Sequence, residues 1–325
     1  MSTIETTTSS GRSPLIGGKR DVADRSFRGA TLAAGGVVLI VLLAIVVSTT
    51  AKAWPVLSKE GLGYFTKDSF NPGKGSYGIL AYVYGTIVVS AIAILLAVPV
   101  SLGIALFVTE LAPRRTRGYI TSVIDLLAAV PSVVFGLWGF LVLSPRLNDI
   151  YSSIHDSVKS VPVLKTLFGP SGGGRSFMTA GMIVALMITP IITSITREVF
   201  LTVPRNDKDG ALALGATRWE MIRSVVLPHS SGGLVGAVML GLGRAMGETI
   251  AIALLVGANP QIVGNLFAAG EAMPSVIVRN LPESSGDFQA ALIGIGVVLF
   301  VLTVVVNVLA RVLVDRIDAR LKGAV

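Results

Sequence analysis

The chain has no cysteine, which excludes disulfides, thiolate metal sites and a cysteine nucleophile and leaves the redox compartment unread. Its two histidines, His155 and His229, are too few for a histidine-rich metal centre. Charge is also scarce: 14% of residues are charged against 52% hydrophobic, far from the balance of an ordinary soluble domain. No Gly-x-x-x-x-Gly-Lys-Ser/Thr loop is present, so any ATP hydrolysis falls to another polypeptide and the chain is expected not to be an enzyme. Neither a cofactor nor a metal is implied.

What the sequence does have is apolar length. Mean hydropathy is +0.75, and the apolar residues fall into blocks of about 20, enough to cross a bilayer core at about 1.5 Å per residue. The expectation is an all-α integral membrane protein of the plasma membrane with six transmembrane helices, near residues 29–48, 80–108, 119–143, 178–195, 232–256 and 290–313. Residues 1–28 are polar and rich in Ser and Thr and read as a disordered cytoplasmic tail. Residues 29–325 then form the membrane domain. Ala51-Lys52-Ala53 has the spacing of a signal-peptide cleavage site, but the apolar run before it is long for a signal peptide, so an uncleaved anchor is expected. Asn71-Pro72-Gly73 marks a turn in the first loop. Pro99 and Pro131 are candidate bending points, with ordinary packing prolines as the competing reading.

A formal net charge of +8 could suggest nucleic acid, yet no interleaved aromatic and basic patch accompanies it. Its distribution fits lipid instead. With six spans, the N-terminal tail, second loop, fourth loop and C-terminal tail share one side and hold 17 of the 27 Lys and Arg, against nine in the other three loops. The positive-inside rule then places both termini in the cytoplasm.

Two segments carry chemistry. In the fifth apolar block, Gly241-Leu242-Gly243-Arg244-Ala245-Met246-Gly247-Glu248-Thr249 puts Arg244 about 21 Å along a helix from Ser230 and Glu248 one turn further, too deep to reach water easily. Their i, i+4 spacing predicts a shared helix face and mutual neutralisation. The pair is either a structural staple or an anion site in which Arg244 offers its fork to oxyanion oxygens and Glu248 moderates the attraction. Gly243 and Gly247 read as a close-packing face. The second segment lies in residues 204–228, where Ala211, Leu212, Leu214, Trp219, Met221 and Ile222 interleave with charge and predict an amphipathic docking element.

Asp209-Gly210-Ala211, three residues, Gly215, nine residues and Val225-Val226-Leu227-Pro228 resemble the cytoplasmic coupling loop of binding-protein-dependent ABC importer permeases. Asp209, Gly210 and Val225 stand where that pattern has Glu, Ala and Ile. Ala97–Phe107, Thr109-Glu110-Leu111-Ala112-Pro113, Pro131–Trp138 and the run through Arg244 are similar to the phosphate permeases of the same family. The resemblance implies a type I importer permease fold, a coupling helix-turn-helix around Asp209, Gly210, Ala211, Gly215, Leu227 and Pro228, and a substrate path through Arg244, Glu248 and Thr249. It also implies a second permease subunit, two ATPase subunits and an extracytoplasmic phosphate-binding protein as partners. The substrate is then inorganic phosphate. A permease for sulfate or molybdate, or an ion-coupled carrier working without ATP, is the alternative.

Overall fold

The computed structural model describes residues 19–322, and the side chains of residues 24–312. Among these residues six helices are long and apolar enough to cross a bilayer: Asp24–Glu60, Leu80–Leu111, Ser132–Val158, Phe177–Leu201, Arg218–Met246 and Gly286–Val312. Helices suit lipid because every backbone donor and acceptor is satisfied within the segment.

The chain divides into two units, Met1–Ala51 and Lys52–Val325. The described part of the first is the leading stretch of helix α1, Lys19–Glu60. Its apolar side chains, Val37, Leu39 and Leu43 among them, are exposed, as a helix facing lipid or another chain requires. Thus Lys19–Arg28, expected in the polar tail, is helical; residues 1–18 of that tail lie outside the described residues.

The second unit contains α2, Leu80–Leu106; α3, Arg114–Ala128; α4, Ser132–Trp138; α5, Ser144–Val158; and α6, Phe177–Leu201. It continues with α7, Arg205–Ala213; α8, Arg218–Met221; α9, Leu227–Met246; α10, Ile250–Leu255; α11, Met273–Asn280; and α12, Gly286–Lys322. A two-stranded hairpin, β1 Phe70–Asn71 and β2 Ser76–Tyr77, pairs Phe70 with Tyr77. Its turn is the expected one: the Asn71 side chain accepts the Lys74 amide and Gly75 takes φ +64°.

The core lies where α2, α6, α9 and α10 meet, around Ala93, Ile188, Ile192, Ala237, Ala245 and Ile252. Lipid is as apolar as leucine, so these helices gain by close fit and not by escaping water. Small residues set that fit. A Cβ on Gly181, Gly233 or Gly241 would fall 2.5 Å from a side-chain carbon of Ile92, Val199 or Ile192 respectively. The Ser101 hydroxyl donates to the Thr189 carbonyl at 3.1 Å, a further tie between α2 and α6. At one end, Phe200, Val203, Met221 and Val226 form a second cluster beneath α7 and α8. At the opposite end Tyr64, Tyr82, Met273 and Leu292 form a third, with the Tyr64 hydroxyl donating to the Ala291 carbonyl at 2.7 Å.

Four expected boundaries need correction. The block at 119–143 is not one helix: α3 ends at Ala128 and α4 starts at Ser132. Pro131 sits at ψ 140°, outside helical space, and proline disfavours helical geometry in the residue before it. The stretch 144–175, expected as a polar loop, instead contains α5, reached from α4 through a π turn at Gly139–Leu143. Leu147 and Tyr151, one turn apart, are buried on one face of α5 with Ser144, while Asp149, Ser152, Ser153 and Asp156 are exposed. The block at 232–256 is also two helices, since α9 ends at Met246 and α10 begins at Ile250. Finally, Lys52–Glu60, expected in a loop, continues α1 through Pro55. The span near 80–108 lies within α2 and the π turn that extends it to Leu111, and those near 178–195 and 290–313 lie within longer helices. Helix α4 lies against α10, where Gly136 meets Ala251.

Candidate functional site

The break between α9 and α10 positions the first group. The last turn of α9 closes with an ordinary helical bond, the Gly247 amide donating to the Gly243 carbonyl at 3.1 Å. Glu248 follows in the link, only 4% exposed. Its Oε1 accepts the Ala251 amide at 3.3 Å, satisfying one of the free donors of α10's first turn. Arg244, on the last turn of α9, has a side chain 50% exposed and a guanidinium nitrogen 3.8 Å from Glu248 Oε2. That is an ion pair at longer reach than a hydrogen bond. Each charge sits at the helix end whose dipole favours it, the cation at a C-terminus and the anion at an N-terminus.

The two residues are therefore together, as their spacing predicts, but across a helix break and not along one face. Thr249, the third residue of this group, is half-buried and gives its carbonyl to the Ala253 amide at 2.9 Å. The arrangement buries the carboxylate and leaves the Arg244 side chain half-exposed to the space around it. An oxyanion can occupy that space and accept the fork bidentately. Gly243 and Gly247 do not serve close packing among the described residues: a Cβ on Gly243 would meet nothing within 4 Å there, and one on Gly247 only the Gly243 carbonyl at 3.4 Å. Gly241 is the tightly packed glycine here.

The second group forms a helix, a turn and a helix. α7 carries Asp209 and Gly210 exposed and Ala211 half-buried. The Ala216 amide donates back to the Ala211 carbonyl at 3.1 Å, closing the turn at Gly215, whose φ of +90° is a conformation that side chains resist. α8 then opens with a capping box: Thr217 Oγ1 accepts the Glu220 amide at 3.3 Å and Glu220 accepts the Thr217 amide at 2.7 Å. Leu227 packs on the Phe200 cluster, and Pro228 lies exposed in the first turn of α9, where a missing amide costs nothing. Leu214 is 92% exposed and Trp219 62%, an apolar tip left open at the turn.

Among the ion pairs that escaped the sequence reading, two tie distant or buried groups. Glu110 and Lys208, 98 positions apart, meet at 2.6 Å. Glu271 is buried and accepts from the Ser275 hydroxyl at 2.6 Å and from Arg279 at 3.0 Å. Burial pushes its carboxyl above the usual carboxylate range, against the opposing pull of the Ser275 hydroxyl and the Arg279 guanidinium. Only the i, i+4, i+8 spacing of Glu271, Ser275 and Arg279 hinted at this cluster.

The family model for the binding-protein-dependent transport system inner membrane component matches residues 97–323. The chain is 41% identical over 301 residues to the phosphate transport system permease protein PstC of Mesorhizobium japonicum, covering 92% of each chain. It is 38% identical to PstC of Haemophilus influenzae, covering 86% of this chain and 90% of the relative. With PstC 2 of Mycobacterium tuberculosis it shares 40% identity over 89% of this chain and 90% of the relative. Among solved structures, a chain of a bacterial alginate ABC transporter, crystallised with an alginate pentasaccharide-bound periplasmic protein, superposes with a TM-score of 0.61 over 92% of this chain and 97% of that one, at 14% identity. That likeness concerns the fold, an ABC importer permease fold. A multi-pass chain with these matches belongs to the inner membrane components of binding-protein-dependent transport systems, in the family of the phosphate transport system permease proteins.

Proposed function

We propose that this chain is the permease subunit that conducts inorganic phosphate into the cytoplasm in an ATP-driven importer. The observation that carries the reading is the half-exposed Arg244 guanidinium at a helix break, held 3.8 Å from a buried carboxylate. A planar fork suits phosphate oxygens. A neighbouring carboxylate weakens the hold, as a conduit needs, because a site that binds too tightly cannot release. The relatives named for phosphate transport support this substrate.

Both termini face the cytoplasm in this reading, on the side richer in Lys and Arg. The α7–turn–α8 element then lies inside, where Asp209, Gly210, Ala211 and Gly215 meet one of two ATPase subunits and Leu214 and Trp219 offer apolar contact. Leu227 and Pro228 join the element to α9. ATP is hydrolysed on those separate subunits. A second permease subunit completes the path beside Arg244, Glu248 and Thr249, and an extracytoplasmic phosphate-binding protein delivers the anion to the opposite face. Residues 1–28 are a cytoplasmic tail in this reading, and 29–325 are the permease domain.

The test is ATP-dependent uptake of labelled phosphate by the reconstituted complex, with sulfate as competitor, comparing the unmodified chain with Arg244→Gln. Uptake that needs ATP, ignores sulfate and collapses in an assembled Arg244→Gln complex is the expected result. Efficient competition by sulfate makes the substrate a broader oxyanion class, and uptake without ATP removes the importer reading.

A further inference from the structure

Helix α7 is held to the body of the protein by very little. None of its side chains is fully buried, and only Lys208 and Ala211, three positions apart on one face, are half-buried. Ala211 contributes a methyl group to the Phe200 cluster. Lys208 contributes much more. Its ammonium donates to Glu110 Oε1 at 2.6 Å, with the two side chains only 15% and 12% exposed, and it lies 3.4 Å from the Phe200 carbonyl.

These two acceptors belong to different spans. Glu110 sits in the π turn Phe107–Leu111 that extends α2, and Phe200 is in the last turn of α6, where carbonyls lack helical partners and a cation is favoured. The same π turn takes a further tie, from the Arg117 guanidinium of α3 to the Thr109 carbonyl. A wide turn of this kind exposes carbonyls that an α-helix would consume. Glu110 and Lys208 thus form a shielded charge contact at a node where α2, α3, α6 and α7 converge.

We infer that the Glu110–Lys208 pair is the joint through which displacement of α7 is passed to the α2 and α6 spans. The inference rests on the importer reading above, in which an ATPase subunit pushes on the exposed face of α7. A push there reaches the spans along the short chain links on either side of α7 and through what α7 touches on its inner face. A methyl contact slides, whereas a shielded ion pair between two long side chains resists both separation and rotation. Glu110 and Lys208 are positioning residues in this scheme, since neither touches phosphate or nucleotide.

The experiment measures ATP hydrolysis and phosphate uptake together, in the complete reconstituted complex, for the unmodified chain, Glu110→Gln, Lys208→Met and the exchanged pair Glu110→Lys with Lys208→Glu. ATP-dependent uptake by the unmodified complex is established first, so failure of the importer reading is seen before any variant is compared. In each single variant, hydrolysis is expected to stay within about twofold while phosphate moved per ATP falls about tenfold, a common size for coupling between sites. The exchanged pair is expected to recover most of the loss. An unchanged ratio in the singles, or no recovery in the exchange, overturns the inference.

Should a single variant fail to assemble, the cysteine-free chain allows a second arm. Glu110→Cys with Lys208→Cys is joined by a short bis-thiosulfonate tether. Uptake per ATP retained on tethering, and lost on its reduction, supports a joint that stays closed. Uptake abolished by the tether in an assembled complex means that the contact must open, and overturns the inference.

Discussion

Arg244 and Glu248 face each other from opposite sides of a helix break, the guanidinium on the final turn of α9 and the carboxylate in the link that opens α10. The carboxylate has two jobs, moderating the guanidinium and accepting the Ala251 amide. These can be separated. Glu248→Gln keeps an oxygen for the amide and removes the charge, so phosphate should bind more tightly and leave more slowly, lowering both KM and maximal uptake. Glu248→Ala also loses the cap, at about 1 kcal/mol of stability. Equal uptake kinetics for the unmodified chain and Glu248→Gln would show that the charge does not tune the path.

Arg244→Lys retains a cation but not the fork. Uptake should fall at least about tenfold, the worth of one charge-assisted hydrogen bond. Full activity in Arg244→Lys would mean that charge alone suffices there.

Gly215 turns the chain between α7 and α8 at φ +90°. Gly215→Ala places a side chain where the left-handed backbone costs about 1–2 kcal/mol. The expected outcome is weaker capture of the ATPase subunit by the membrane part, measured by co-purification, with the folded permease still present. Undiminished capture would show that the turn tolerates distortion.

Gly241 and Gly243, two residues apart, should respond in opposite ways. Gly241→Val drives atoms into Ile192, already 2.5 Å from a built Cβ, and overpacking of this kind costs about 1–3 kcal/mol. Gly243→Ala meets nothing within 4 Å among the described residues, so its thermal unfolding in detergent should shift little. If Gly243→Ala nonetheless abolishes uptake, its face belongs to the partner subunit or the path.

Glu271 gives a pH test with a definite sign. Its folded-state carboxyl is raised by burial, so the native protein holds that proton more tightly than the unfolded chain. The stability it contributes is complete below the unfolded value and is lost as pH rises through the folded one. Hydrogen exchange across Met273–Asn280 should therefore slow on going from about pH 7 to about pH 5, after correction for intrinsic rates, and this change should vanish in Glu271→Gln. Parallel profiles for the two chains would exclude the carboxyl as the cause.

Much of the fold was legible because lipid imposes a simple code. A run such as Leu80–Val108 can only be a spanning helix, and no tertiary partner is needed to decide it. Gly215 was legible by another route, as the turn that the resemblance to the importer coupling loop implies. What hydropathy averages conceal is where such a helix stops and restarts. Apolar runs resume beyond Pro131-Ser132 and beyond Gly247-Glu248-Thr249, so both 119–143 and 232–256 read as continuous. The Arg244–Glu248 pairing was read correctly from local spacing for a geometry that proved non-helical, because a short link still brings positions four apart within reach. Glu110 with Lys208 was invisible for a different reason: no local pattern announces a contact made 98 residues apart. α5 was missed because Asn148, Asp149, Ser152 and Ser153 outweigh the thin stripe of Leu147 and Tyr151.

The two interruptions, at Ala129–Pro131 and at Gly247–Thr249, have a joint consequence. Each is followed at once by a short helix, α4 after the first and α10 after the second, and a side chain at Gly136 would come 2.8 Å from the Ala251 Cα. Backbones that close behave as one plank. Tilting α4 alone would pry it from α10 and forfeit the dispersion contacts along the seam, so the plank can swing only if both flexures yield in the same stroke.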